Sequence, residues 1–290
     1  SGINMIRSNQ NSWATIDDSR LPGECLVTYG GMSDSGVSLM AYNVEDKVRV
    51  ELIGLIDPGF GYGQEIRCIA NGLPGSNEIY IGTMYGAPIG VYSTVTGEYV
   101  RGIKSNFQTD SMLVYNGKMY AGEYTSCCIT RLDDGQATML FQLNDDYFNQ
   151  ARIHKLAAGD EKIFAGTIPD IYRHGGVIVW YDMETELTYV ATGPKPEDVY
   201  YAKASQIMAT KEWYRVTNDE LVDFTKEWDA DQDSNGVKES FLGFIPTQSI
   251  VDLYYRDGLL YGTSIVEGGA HDVIQKDKNK FHYMVLHSYL

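Results

Sequence analysis

Ile79-Tyr80-Ile81-Gly82-Thr83 lies at the centre of the stretch from Gln64 to Val100, which sets the pattern of the whole chain. An apolar run, Ile66 to Ile69, precedes it, and Ile89-Gly90-Val91-Tyr92 follows it. Short apolar runs that are rich in β-branched and aromatic residues and are bounded by turn residues predict β-strands. The stretch therefore predicts a small sheet of short strands.

The same pattern returns along the chain. Each repeat consists of a leading Gln, a short apolar run, a second apolar run that carries a glycine, and a third apolar run. The repeats are Gln108 with Met112 to Val114, Met119 to Gly122 and Cys128 to Thr130; Gln150 with Ile153 to Leu156, Ile163 to Thr167 and Val177 to Tyr181; and Gln248 with Ile250 to Leu253, Leu260 to Thr263 and Phe281 to Leu286. A first repeat fits Trp13 to Ile16, Leu26 to Gly30, and the hairpin Ser38 to Tyr42 with Lys47 to Ile53. Repeats of this length, built from short strands, predict an all-β fold of the β-propeller type, whose sheets bury their faces only by stacking.

The leading glutamines indicate how many blades to expect. They stand at positions 10, 64, 108, 150, 206 and 248, with separations of 54, 44, 42, 56 and 42 residues. This spacing predicts six blades in a single domain over residues 1–290. The alternative is a five-bladed propeller in which residues 194–240 form an insertion, because Glu186 to Val190 already resembles an outer strand. In either arrangement, Ile3 to Arg7 could close the ring beside Phe281 to Leu286.

The fifth repeat is irregular, and its pattern predicts one short helix plus a loop near 217–239. Thr217-Asn218-Asp219-Glu220 has the form of a capping box, in which the Thr hydroxyl and the Glu carboxylate satisfy the first free amides of a helix. Leu221, Phe224 and Trp228 then recur at helical spacing. The strand pattern resumes at Phe241.

The composition excludes several classes of partner. The 290 residues include 39 acidic and 23 basic ones, the net charge is −16, and the pI is about 4.6. A nucleic acid backbone would be repelled, and no apolar run approaches the roughly 20 residues that span a bilayer. The four cysteines show no CxxC or CxxH spacing, which argues against zinc and disulfide frameworks. The beginning, Ser1 to Asn4, resembles neither a signal peptide nor a native start, and indicates a cloning scar or a mature fragment.

Residues 231–239, Asp-Gln-Asp-Ser-Asn-Gly-Val-Lys-Glu, carry the most specific chemistry in the chain. Oxygen donors at alternate positions, with a glycine at the sixth for a sharp turn, are typical of a calcium loop, because calcium takes 6 to 8 oxygen ligands. The stretch resembles the calcium loops of EF-hand, dockerin and thrombospondin type 3 proteins over nine residues. That resemblance implies side-chain ligands at Asp231, Asp233, Asn235 and Glu239, and a carbonyl ligand at Val237. Leu242 stands where an EF-hand has its bidentate Glu, and a second frame would use Asp229.

The loops that join second to third strands, and those that lead into first strands, gather on one face of a propeller. We expect a ligand there. Its candidate contacts are Tyr85, Tyr124, Asp170, Tyr172, His174 and His271, together with Arg173, Glu267 and the recurring glutamines. Aromatic side chains with a few polar neighbours suit sugar rings, which stack on Tyr and form hydrogen bonds at their rim.

Catalysis is a separate question on which the sequence is less specific. It contains no GxSxG, HExxH or phosphate-loop motif. Asp170, Glu123 and Glu267 could supply the carboxylates of a lyase or hydrolase, and His174 with His271 could form a base or metal pair. An enzyme therefore stays one alternative among three.

Ile163 to Trp180, with Phe-Ala-Gly-Thr-Ile-Pro-Asp followed by Gly175-Gly176 and a Val-Trp-Tyr-Asp strand, and Gln248 to Gly269 resemble the WD-like or quinoprotein-like propeller repeats of secreted bacterial proteins. Several proteins of that kind act on or carry polysaccharides. The resemblance supports the propeller fold. The loop tyrosines, the acidic balance and the calcium-like loop lead to the hypothesis of an extracellular or cell-surface propeller, stabilised by calcium, that binds or helps to process carbohydrate. A scaffold for protein–protein interaction and a polysaccharide lyase or hydrolase are the alternatives.

Overall fold

The computed structural model describes residues 12–18, 21–29, 39–43, 46–52, 66–83, 88–133, 136–144, 148–169, 176–191, 199–203, 214–217, 220–223, 249–267 and 282–289. Within these ranges the chain is all-β. The chain divides into two compact units. Unit 1 is residues 1–123 and 130–138, and unit 2 is residues 124–129 and 139–290.

Two four-stranded sheets belong wholly to unit 1. The first contains β1 (Ser12–Asp18), β2 (Leu21–Tyr29), β3 (Leu39–Asn43) and β4 (Val48–Leu52). The second contains β5 (Ile66–Asn71), β6 (Glu78–Thr83), β7 (Ile89–Ser93) and β8 (Glu98–Ile103). In both, the strands pair in sequence order and antiparallel. This meander is the sheet from which propeller blades are built.

The third set of strands is β9 (Gln108–Tyr115), β10 (Lys118–Tyr124), β11 (Cys128–Asp133) and β12 (Gln136–Gln142). Asn116 and Gly117 join β9 to β10 with φ of 47° and 69°. Positive φ at both central residues is the requirement of the tight turn that matches strand twist, and Asn-Gly meets it readily. Asp257 and Gly258 make the same kind of turn in unit 2, with φ of 52° and 80°.

The strands that follow continue the hydrogen-bonded sheet of β9 to β12, because Tyr124 at the end of β10 pairs with Arg152, and they make it longer than a blade. They are first β13 (Gln150–Gly159), β14 (Lys162–Pro169), β15 (Ile178–Asp182) and β16 (Leu187–Ala191). It continues with β17 (Val199–Lys203), β18 (Tyr214–Thr217) and β19 (Glu220–Asp223), each antiparallel to the strand before it. The last sheet contains β20 (Ser249–Arg256), β21 (Leu259–Glu267) and β22 (His282–Tyr289).

The prediction of a helix that begins at Thr217 is wrong for the first turn of that helix. Thr217 pairs with Glu220, and β19 occupies residues 220–223. The same four residues suit both structures, because Asn and Asp at the two central positions also favour a two-residue hairpin turn. The β-branched pair Val216 and Thr217 favours the strand. The rest of the predicted helix lies outside the described residues.

Neighbouring sheets bury apolar side chains between them within each unit. In unit 1, Tyr80, Ile89 and Val91 of one sheet pack with Met119, Ala121 and Leu132. In unit 2 the corresponding cluster is Ala157, Phe164, Ile178, Ile250, Leu253 and Leu260. Face-to-face burial of this kind is how stacked repeats make a core that a single sheet lacks.

The glycine of the repeated second strand permits this close packing. A Cβ built on Gly82 would stand 2.6 Å from Cys68 Sγ and 2.7 Å from the carbonyl oxygen of Thr109 on β9. A Cβ on Gly166 would likewise run into the side chain of Ile250 on β20. The repeated glycine is thus a contact point between a sheet and the first strand of the next one.

The predicted class, all-β with propeller-type sheets, is confirmed. The described residues form five sets of strands that correspond to repeats beginning near Gln10, Gln64, Gln108, Gln150 and Gln248. The sixth predicted repeat, around Gln206, falls largely on residues 204–213 and 224–248, which lie outside the described part. The prediction of six blades, its five-bladed alternative and the extent of the single domain therefore stay predictions.

Candidate functional site

Tyr124 is the one aromatic residue among the predicted ligand contacts that lies in the described part of the chain. It is the last residue of β10, and Glu267 is the last residue of β21. Outside that part lie Tyr85, Asp170, Tyr172, Arg173, His174 and His271, as do the predicted calcium ligands Asp231, Asp233, Asn235, Val237 and Glu239. Within the described residues, no group of three or more His, Cys, Asp or Glu could hold a metal ion.

Tyr124 forms a cation–π pair with Arg152. The guanidinium carbon lies 4.3 Å from the centroid of the Tyr124 ring, and both side chains are half-buried. The two residues are also backbone partners, because Tyr124 pairs with Arg152 where β10 meets β13. A guanidinium over a tyrosine face contributes about 0.5–1 kcal/mol at a partly exposed site. We call this pair the Tyr124–Arg152 platform.

Backbone hydrogen bonds connect the loop after Tyr124 to the strand that carries Arg152. The Leu143 N–H donates to the Cys127 carbonyl over 3.0 Å, and the Gln150 N–H donates to the Leu143 carbonyl over 2.9 Å. The amide of Asn144 also donates to the Thr125 carbonyl over 2.9 Å. Both sides of the platform are therefore held by fixed backbone.

The recurring glutamine of the fourth repeat does not project toward a ligand. Gln150 is fully buried. Its amide nitrogen donates to the Phe148 carbonyl over 2.7 Å, and its amide oxygen accepts from the Thr167 hydroxyl over 2.6 Å. The Thr167 oxygen in turn accepts from the Val177 N–H over 2.7 Å. The repeated Gln and the Thr of Gly-Thr thus join the first three strands of one sheet.

Glu123 occupies the position that Thr167 holds in the following repeat. It is completely buried, and its carboxylate accepts hydrogen bonds from the Asn106 N–H, the Phe107 N–H and the Thr130 hydroxyl, at 3.1, 3.3 and 2.8 Å. This carboxylate fixes the loop before β9 and does not reach solvent. The observed contacts of Glu123 are thus those of a carboxylate that holds this loop in place.

Charged residues on first strands also pair across neighbouring sheets. In unit 1, the Arg67 guanidinium lies 3.6 Å from a carboxylate oxygen of buried Asp110, which also accepts from the Gln108 amide over 2.7 Å. In unit 2, the Lys155 ammonium lies 3.3 Å from the Asp252 carboxylate. These two ion pairs join strands of neighbouring sheets and give four charged side chains a structural contact.

Three cysteines in the described part of the chain are buried, and burial determines the properties of the Cys68 thiol. Cys68, Cys127 and Cys128 are free thiols in buried positions. Burial raises the pKa of the Cys68 thiol well above its ordinary value, and the charge of Asp110 adds to that effect. Its Sγ donates to the Thr109 carbonyl over 3.6 Å. Cys68 is therefore a packing residue.

Sequence reasoning missed Arg152. It stands two residues after Gln150, inside an apolar strand pattern where a single cation reads as a surface residue. The signal that identifies it is the pairing of its strand with the end of β10, which only the structure shows.

No family model matches the chain, and no curated protein matches it. Among solved structures, one from the nidogen/laminin complex matches with 12% identity over 74% of this chain and 78% of that one, with a TM-score of 0.42. Hydrazine synthase from Kuenenia stuttgartiensis matches with 9% identity over 89% and 75%, with a TM-score of 0.47. The β-propeller domain of Cps50 (Swd1) from Myceliophteria thermophila matches with 11% identity over 55% and 54%, with a TM-score of 0.39. All three TM-scores are below 0.5, and no inference about function follows from them.

In the part of the chain that the structure describes, no helix has the length and apolar character needed to cross a membrane.

Proposed function

We propose that this chain is a carbohydrate-binding domain that uses the Tyr124–Arg152 platform as part of its ligand surface. The observation that carries the proposal is the half-buried Tyr124 ring at the end of β10, with the Arg152 guanidinium 4.3 Å from its centroid. Sugar sites combine an aromatic ring, which stacks on the apolar face of a pyranose, with polar groups that bind its hydroxyls. The pair provides both kinds of group at one place.

The fixed backbone around the platform supports a role in binding. Asn144 and Leu143 tether the loop that follows Tyr124, so a ligand would not have to order that loop. A site whose side chains are already in place loses less conformational freedom on binding. Thr125, the next residue along the chain after Tyr124, is exposed.

We extend the proposal to the predicted ligand contacts and calcium ligands that lie outside the described part of the chain. Tyr85, Asp170, Tyr172, His174 and His271 would extend the surface. A structural calcium ion at Asp231, Asp233, Asn235, Val237 and Glu239 would stabilise the irregular region near 194–240. Calcium is abundant outside cells, so an extracellular or cell-surface location belongs to the same proposal, and so does processing of the bound polysaccharide.

A glycan array probed with the whole chain at millimolar calcium tests this proposal. We expect binding to one class of glycan and loss of that binding in Tyr124→Leu. Tyr254→Leu is the matched control, because Tyr254 is an exposed tyrosine, 60% accessible, on β20. Absence of any hit from a folded protein would contradict the proposal.

A protein-interaction scaffold is the second candidate, and the same pair favours it. Tyrosine and arginine are enriched among the residues that dominate protein–protein binding energy. If the array has no hit, a pull-down from host extract with wild type and Tyr124→Leu in parallel would support this candidate when one protein is retained by wild type alone.

A further inference from the structure

We infer that Asn116 is a deamidation site of the folded chain, at which the Asn116-Gly117 turn changes without an enzyme into an aspartate or isoaspartate turn. The two residues join β9 to β10, and both are exposed. A glycine after asparagine hinders this reaction least, because glycine has no side chain beside the attacking nitrogen. The inference is independent of the proposed function.

The reaction needs only the chain and water. The backbone nitrogen of Gly117 attacks Cγ of the Asn116 side chain, and the bond from Cγ to Nδ2 breaks. Nδ2 leaves as ammonia with the proton of the Gly117 N–H, and the product is a succinimide ring. Water then opens the ring at one of its two carbonyl carbons. Attack on the former side-chain carbonyl gives aspartate, and attack on the main-chain carbonyl gives isoaspartate.

A second Asn-Gly pair in the described part of the chain, Asn71-Gly72, provides a comparison. The Gly72 N–H donates to the Glu78 carbonyl over 2.7 Å, so the nitrogen that would attack must first lose a hydrogen bond. The surroundings are also crowded. A Cβ built on Gly72 would stand 2.6 Å from Ser76 Oγ and 2.9 Å from the Glu78 carbonyl oxygen. Ring closure is therefore opposed at this pair.

The nitrogen of Gly117 is placed differently. Asn116 and Gly117 are the two central residues of a tight turn, with φ of 47° and 69°. The hydrogen bond of such a turn joins its first and fourth residues, here Tyr115 and Lys118, and does not use the N–H of the third. A Cβ built on Gly117 would meet no atom within 4 Å, so this side of the turn is open. The structure therefore favours reaction at Asn116 over reaction at Asn71.

The two products should differ in their effect on the fold. Asp257-Gly258 forms the same kind of turn with φ of 52° and 80°, so an aspartate is compatible with it. Isoaspartate adds a carbon atom to the main chain, whereas the register of a hairpin depends on the length of its turn. We therefore expect the isoaspartate form to be less stable than the aspartate form.

The test incubates the whole chain, folded and in urea, at mildly alkaline pH, and follows both Asn-Gly peptides by mass spectrometry. Deamidation is detected as the mass difference between asparagine and aspartate. In the folded chain we expect Asn116 to react at least about fivefold faster than Asn71, which is the rate ratio that corresponds to one hydrogen bond of about 1 kcal/mol. In urea the two rates should become equal, because the Gly72 hydrogen bond is lost.

Variants confirm the site and its products. Asn116→Gln should remove the reaction, because the longer side chain closes a larger ring far more slowly. Asn116→Asp is the reference for the aspartate product and should melt as the unmodified chain does, while the separated isoaspartate form should melt at a lower temperature. Asn71 reacting as fast as Asn116 in the folded chain, or an unmodified Asn116 when the urea sample is fully converted, would overturn the inference.

Discussion

The hydroxyl of Thr167 donates to the amide oxygen of Gln150 over 2.6 Å, and both residues are fully buried. The Thr167 oxygen also accepts from the Val177 N–H over 2.7 Å. One side chain therefore joins the beginning of β13, the end of β14 and the entry to β15. In the fourth repeat, this relationship links the leading Gln to the Thr of Gly-Thr.

Thr167→Val keeps the shape of the side chain and removes these hydrogen bonds. Gln150 would then lose the bond from the Thr167 hydroxyl, and the Val177 N–H would lose its acceptor, Thr167 Oγ1; an unsatisfied buried group costs about 1–3 kcal/mol. We expect the free energy of unfolding to fall by at least about 1 kcal/mol, measured by urea titration. Thr138→Val, at an exposed position of β12, is the matched control and should change little.

Gly82→Ala tests the packing between sheets. The new Cβ would lie 2.7 Å from the Thr109 carbonyl oxygen, and because that atom is backbone it cannot rotate away. Overpacking of this kind costs about 1–3 kcal/mol. Gly102→Ala is the control, since its Cβ would meet only the side chains of Tyr99 and Pro88, at 3.0 and 3.1 Å. Equal melting temperatures for the two variants would contradict the packing role of the repeated glycine.

The lowered pKa of the Asp133 carboxyl group predicts that the fold loses some of its stability in acid. Burial alone would raise the pKa of this carboxyl group, but the hydrogen bond and charge of Arg131, with those of Lys118, outweigh it and lower that pKa. A carboxyl group with a lowered pKa contributes stability above its unfolded value of about 3.9, and the contribution is lost as the pH falls through the folded value.

We therefore expect the difference in melting temperature between wild type and Asp133→Asn to shrink as the pH is lowered below about 4. The pair is about one-third exposed, so the effect should be small. In a background that carries Lys118→Gln and Arg131→Gln, Asp133→Asn should make no pH-dependent difference. A difference that persists there would show that other groups are responsible.

The calcium proposal predicts a response to chelation. If calcium binds there, its removal would leave the carboxylates of Asp231, Asp233 and Glu239 without a compensating charge, and their repulsion should destabilise the folded form. An ion at about 100 times its dissociation constant stabilises the folded form by about 2.7 kcal/mol. We expect a chelator to lower the melting temperature by several degrees, and Asp231→Ala to remove most of that response. Identical melting in chelator and in millimolar calcium would rule out the site.

Much of the fold follows from local sequence signals, and the exceptions have physical causes. Asn116-Gly117 and Asp257-Gly258 permit one kind of tight turn, and the apolar runs beside them are strands in the structure. Thr217 to Glu220 is ambiguous in sequence, because a capping box and a two-residue hairpin use the same residue types. There, β18 pairs with β17 as well as with β19, and the partner β17 lies outside the four residues whose pattern is ambiguous.

The candidate site is less predictable than the fold. Tyr124 could be selected because it follows a second strand, at the end where loops gather. Arg152 and Glu123 could not be assigned, because one is placed by strand pairing and the other by a buried network with Asn106 and Thr130. A sequence shows a charge but not whether that charge is buried.

A double-mutant cycle of Tyr124→Leu and Arg152→Gln, with the affinity for the best array glycan measured by calorimetry, decides whether the platform binds the ligand. If the two side chains act as one binding surface, each single variant should lose about tenfold in affinity, and the double variant should lose less than the product of the two. Tyr254→Leu should bind as wild type does. Unchanged affinity in folded Tyr124→Leu and Arg152→Gln would show that the ligand binds elsewhere and would contradict the proposed role of the platform.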